Sequence, residues 1–147
     1  MKRLLVVFVV SLVFVACGEQ TESLKPLDKG MSNTVALPSG EVVYDIGGEW
    51  DAVLDWPHTP LQKDIIKITQ EGNKFVGILV NGNAIKTAGN DIIKGELEKN
   101  GFKSLYVNTL DGWLPPASKI GKNCNKIVTK TLTTSLSFTL KMTLTRK

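Results

Sequence analysis

Residues able to do chemistry are few and scattered along this chain. His58 is the single histidine, in Asp55-Trp56-Pro57-His58-Thr59-Pro60, and has no His or Cys nearby to complete a metal set. Asp51 and Asp55 share a strand face by parity. With His58 they make the one candidate for a weak metal or acid–base cluster, although carboxylates on alternate strand positions also describe a wet surface. Cys124, in Lys122-Asn123-Cys124-Asn125-Lys126, has neither a paired histidine nor a basic helix terminus to lower its thiol pKa. It reads as a small buried hydrophobe, with a partner-pairing thiol as the alternative. There is no Cys-x-x-Cys, no phosphate-cradling glycine loop and no Gly-x-Ser-x-Gly. These residues predict no enzyme, no metal and no cofactor.

Cys17 belongs to a different kind of chemistry. Lys2 and Arg3 precede an apolar run over residues 4–16, broken only by Ser11, which ends in the small residues Ala16, Cys17 and Gly18. That is the order of a secretory signal. As a helix the run spans about 20 Å, short of the roughly 30 Å hydrocarbon core of a bilayer. Val15-Ala16-Cys17 resembles the lipobox of bacterial lipoproteins, with Phe14 where Leu is usual. The resemblance implies diacylglycerol on the Cys17 thiol, cleavage before that residue and anchoring by acyl chains such as palmitate. A single chain binds membranes only marginally, whereas several anchor stably. Gly18 rather than Asp after the cysteine resembles the outer-membrane pattern of the cell envelope. The alternative is ordinary cleavage after Gly18. With Cys17 acylated, Cys124 has no partner for an internal disulfide.

Charge divides the chain sharply. Residues 19–111 carry 9 lysines and 14 acids, while residues 112–147 carry 7 basic residues and no acid. Either the late lysines pair across strands with earlier acids, or they form a patch for an anionic surface. Nucleic acid is not expected as a partner, because Phe138 is the only aromatic after Trp113 and stacking platforms are lacking.

The elements that must position these residues read as β. After the signal peptide, residues 17–40 are polar, contain Pro26 and Pro38 and predict a flexible tether. From residue 41 to 147 the pattern predicts one antiparallel all-β domain. Strands are expected over 41–46, 49–56, 64–70, 74–80, 91–98 and 102–108, with hairpin turns at Glu71-Gly72-Asn73 and Lys99-Asn100-Gly101. Pro57, Pro60 and Pro115-Pro116 place 56–61 and 111–125 in loops. Leu132, Leu136, Phe138, Leu140, Met142 and Leu144 alternate with Thr, Ser and Lys, which predicts a long strand with one wet face. Seven or eight strands make a small barrel or a sandwich.

Gly48-Glu49-Trp50 opening a strand, with Arg146 near the end of the last strand, resembles the calycin group of lipocalins, avidins and fatty-acid-binding proteins. The resemblance implies that Trp50 plugs one barrel end and that Arg146 packs over its ring. Guanidinium on indole contributes about 0.5–2 kcal/mol. Trp50, Leu54 and Trp56 share a strand face, and Phe75, Leu79, Phe102 and Tyr106 are expected to line the same interior. That interior is either filled or holds one small apolar ligand. Trp113, in Asp111-Gly112-Trp113-Leu114-Pro115-Pro116, is expected in an exposed loop and is the candidate anchor for an envelope protein partner.

Overall fold

Alternating apolar and polar side chains organise the chain into strands whose inner residues make one core. The structure is a computed structural model and describes residues 33–56, 60–83, 86–121, 123–134 and 137–147. The expected signal sequence, Cys17, most of the expected tether, His58 and Leu136 lie outside the described residues. Among the described residues there are eleven strands: β1 (Thr34–Ala36), β2 (Val42–Tyr44), β3 (Gly48–Asp55), β4 (Gln62–Glu71), β5 (Lys74–Leu79), β6 (Asp91–Glu98), β7 (Gly101–Thr109), β8 (Gly112–Leu114), β9 (Ala117–Ile120), β10 (Lys126–Thr133) and β11 (Phe138–Arg146). The protein is all-β, as its alternation predicts.

β1 and β2 pair as a small hairpin, and the other nine strands form one antiparallel sheet ordered β8-β7-β6-β5-β4-β3-β11-β10-β9. The edge strands β8 and β9 are consecutive in the chain, separated only by Pro115 and Pro116. Three residue steps reach at most about 11 Å, so the two edges of the sheet are forced to meet. The sheet therefore curls into a barrel-like shape, with β9 beside β7 and β8 beside β10. Two prolines suit this crossing because neither can donate to a ladder.

Trp50, Leu54, Ile66, Leu79, Met142 and Leu144 are almost completely buried inside the curl. A register shift at Gly77/Ile78 lets neighbouring Ile92 and Ile93 both turn inward, as a bulge permits. Gly77 sits where a side chain would meet its neighbours: a Cβ there would lie 2.7 Å from Ile93 Cγ1 and 2.9 Å from Ile66 Cγ2.

Four sequence expectations change. Residues 34–36, read as tether, form β1, and Val42, Val43 and Ile46 follow as buried cover over the barrel end. Residues 111–125 are not all loop, because β8 and β9 lie within them. The C-terminal alternation is two strands rather than one. Thr133 pairs with Phe138 across the turn, which switches inward parity from odd to even. Leu132 is consequently 65% exposed, and Thr129, Thr131 and Thr133 occupy inner positions. Tyr106 also faces outward, whereas Phe75 is buried and Phe102 is half-buried against it, ring centroids 5.6 Å apart.

Since no room remains beside Gly77, Gly77→Ala is expected to destabilise the fold by about 1–3 kcal/mol through overpacking. Urea unfolding followed by tryptophan emission measures this. A neutral or stabilising result would mean that the interior at this level has space.

Candidate functional site

The residues linking β2 to β3 cross one end of the barrel as irregular backbone, and irregular backbone brings carbonyls that need donors. Four consecutive carbonyls find them in side chains. Tyr44 O accepts from Gln70 Nε2 at 3.0 Å, and Ile46 O accepts from Trp50 Nε1 at 2.9 Å. Asp45 O accepts from an Arg146 terminal nitrogen at 2.7 Å and from Cys124 Sγ at 3.3 Å. Gly47 O accepts from the same Arg146 nitrogen at 3.0 Å. Gln70 also accepts from Ile46 N at 2.8 Å and donates to Gly72 O at 2.9 Å, joining the crossing to the β4–β5 turn. Gly48, at φ +116°, starts β3 in a conformation that favours glycine.

Trp50 and Arg146 are register partners on β3 and β11, and the guanidinium carbon lies 5.2 Å from the indole centroid. Trp50 is fully buried. The contact implied by Gly-x-Trp and the final-strand arginine is therefore present as geometry. The partners contributed by Gln70 and Cys124 carried no sequence signal, since each acts on backbone far away in the chain.

Cys124 is buried, and burial pushes its thiol up to about 11, the Arg146 charge pulling back only in part and Asp45 adding to the rise. The reading as a small buried residue fits this environment, with the addition that its S–H donates to the crossing. Asp51 and Asp55 share the outer face of β3 and are both exposed, and Asp51 lies 3.9 Å from Lys147. No group of three or more His, Cys, Asp or Glu suited to a metal occurs among the described residues.

Away from the plug, two features have binding geometry. The first is the outer wall of β5 to β8, where Trp113 is half-buried on β8 rather than exposed in a loop. Lys94 Nζ caps its ring at 4.1 Å, and Lys86 holds Asn108 beside it through a 3.0 Å hydrogen bond. A groove of about 330 Å³ runs along Lys74, Val76, Lys94, Glu96, Ser104 and Tyr106. Next to it, β8 pairs only with residues 107–109 of β7, and β9 pairs only with β10, so the first half of β7 faces β9 across an unpaired seam. That seam holds a groove of about 310 Å³ lined by Phe102, Ser104, Tyr106, Pro115, Pro116 and Ser118 among others.

The second feature is internal. Towards the end away from Trp50, Gln62 Oε1, Asp64 Oδ2 and the Thr129 and Thr131 hydroxyls are buried without a protein hydrogen-bond partner. Asp64 Oδ1, by contrast, accepts from Ile65 N and Asn81 N. Trp56 is buried there against Phe138, ring centroids 5.6 Å apart and edge-on. No protein-family model, curated protein or solved structure matches the chain.

Burial of Cys124 gives a direct expectation. At pH 8 the native chain should react with a thiol reagent no faster than Cys124→Ala, whereas urea-unfolded wild type should gain one reactive thiol. Because the folded thiol ionises above the unfolded value of 9.0, its protonated form supports the fold fully below pH 9, and that support disappears as pH rises through about 11. A Cys124→Ala chain should lack this part of the alkaline loss. Rapid labelling of native Cys124 would contradict the buried-donor assignment.

Proposed function

We propose that this chain is a membrane-anchored envelope lipoprotein, held by acyl chains on Cys17, whose β domain is a non-enzymatic interaction module. The reading rests most on where free space lies. Large side chains such as Trp50, Leu54, Leu79 and Met142 are buried inside, with no room beside Gly77, while the outer wall and the β7/β9 seam carry grooves beside the proline pair and exposed Tyr106 and Val76. A half-buried tryptophan braced by a lysine is a pre-organised contact residue, because little side-chain freedom remains to be lost on binding. Unpaired backbone along β7 adds donors and acceptors that an extended segment of a partner can use. The calycin resemblance supports the same architecture through the Trp50–Arg146 contact.

A small-ligand carrier is the second reading, favoured by the unpartnered Gln62, Asp64, Thr129 and Thr131 atoms. Groups of this kind suit a polar molecule better than the fatty-acid-like ligand that the sequence alone pointed to.

The test combines mass and capture. Protein taken from the membrane fraction should carry an acylated N-terminal Cys17 by intact mass. In pull-downs from detergent-solubilised envelope, Tyr106→Ala and Trp113→Ala should lower partner recovery by roughly ten-fold or more if these are hot-spot contacts, with unfolding midpoints preserved. Unchanged recovery together with ligand-induced changes in tryptophan emission would favour the carrier.

A further inference from the structure

The basic stretch over residues 112–147 does not dissolve into cross-strand ion pairs. Among the described residues after Gly112, only Lys147 forms ion pairs, with Glu49 at 3.7 Å and Asp51 at 3.9 Å. Lys119, Lys126, Lys130 and Lys141 are exposed on the wall made by β9, β10 and β11. Lys130 and Lys141 are direct register partners, an arrangement that like charges disfavour and that the fold does not require. Two carboxylates on β3 flank this wall in register, Asp55 opposite Lys141 and Asp51 opposite Thr145, and Asp51 is engaged by Lys147. No acid lies on β9, β10 or β11 themselves.

The upper edge of the same wall is apolar. Leu132 is 65% exposed at the end of β10, and Leu110 is 57% exposed at the β7–β8 turn. Asp111 accepts from Thr134 N at 2.7 Å and from its hydroxyl at 3.3 Å, which ties the two turns together and holds both leucines at one corner of the barrel. The opposite end is covered by the β1–β2 hairpin and the side-chain knot, so this apolar exposure is one-sided.

We infer that the β9–β10–β11 wall, with Leu110 and Leu132 at its edge, docks on an anionic phospholipid bilayer. The lysines would sit against headgroup phosphates and the two leucines would enter the interface. Charge complementarity decides for this occupant: four unpaired lysines attract an anionic surface additively, at roughly five-fold in affinity each, whereas an apolar protein groove would gain nothing from them. The inference deepens the proposed function by fixing its orientation, since the Tyr106–Trp113 wall then remains free for a partner. It rests on that reading only for the acyl anchor.

The experiment uses the full chain as isolated from membranes, reconstituted in phosphatidylglycerol or in phosphatidylcholine vesicles and treated with an amine-acylating reagent. Modification at each lysine is then read by mass spectrometry. Lys126, Lys130 and Lys141 should label about five-fold more slowly on phosphatidylglycerol, with the protection lost at high salt, while Lys74 and Lys103 are unchanged. Lys130→Glu with Lys141→Glu should remove the protection of Lys126, and Leu132→Ser should weaken it without altering the circular dichroism. Equal labelling on both vesicles would overturn the inference. So would protection that appears only when envelope proteins are added, which would assign the wall to a protein. Failure of the anchor is a separate result, seen as loss of association with either vesicle.

Discussion

Everything at one end of this molecule depends on supplying donors to four carbonyls in a row. From the end of β2 into β3 the oxygens of Tyr44, Asp45, Ile46 and Gly47 lie over the partly buried barrel end and take their donors from side chains. Arg146, Trp50, Gln70 and Cys124 supply the donors from β11, β3, β4 and the β9–β10 loop. Each charged hydrogen bond contributes about 1.5–3 kcal/mol, and a buried carbonyl left unmet costs about 1–3 kcal/mol. A lysine could hold the positive charge near the indole, but it lacks the planar guanidinium that lies along the ring while one nitrogen reaches Asp45 O and Gly47 O and the other reaches Asn33 Oδ1. That is a physical reason for an arginine at position 146.

The second constraint is closure. A two-proline crossing makes the edges of a nine-stranded sheet meet, and the price is a seam where β7 and β9 are neighbours without a ladder. Inside the closed sheet pack large side chains such as Leu54, Ile66, Leu79 and Leu144, while grooves lie on the wall and along the seam. The two ends differ in consequence: one is sealed by the hairpin and the carbonyl knot, the other carries exposed leucines and buried hydroxyls.

Much of the architecture was legible in the chain. Alternation at Trp50, Ala52 and Leu54, and the turns at Gly72-Asn73 and Lys99-Asn100, place β3 to β7 because each is a local consequence of strand parity and turn chemistry. The contact of Trp50 with Arg146 was legible only through resemblance, since the two are far apart in the chain. Parity failed between Leu132 and Phe138, because Thr133 pairs with Phe138 and the inward set changes from odd positions on β10 to even positions on β11. Proline was read as excluding strands, but Pro115-Pro116 instead separates two short ones at the sheet edges, where missing donors cost little. Gln70 and Cys124 were illegible because they act on backbone atoms, and backbone acceptors leave no mark in composition or spacing.

The most direct measurement is urea unfolding of wild type, Arg146→Lys and Arg146→Met under identical conditions. If the arginine fork meets the crossing carbonyls as described, Arg146→Met should lose about 2–4 kcal/mol and Arg146→Lys should recover less than half of it. A loss below about 0.5 kcal/mol in Arg146→Met, the range of an ordinary surface substitution, would contradict the account.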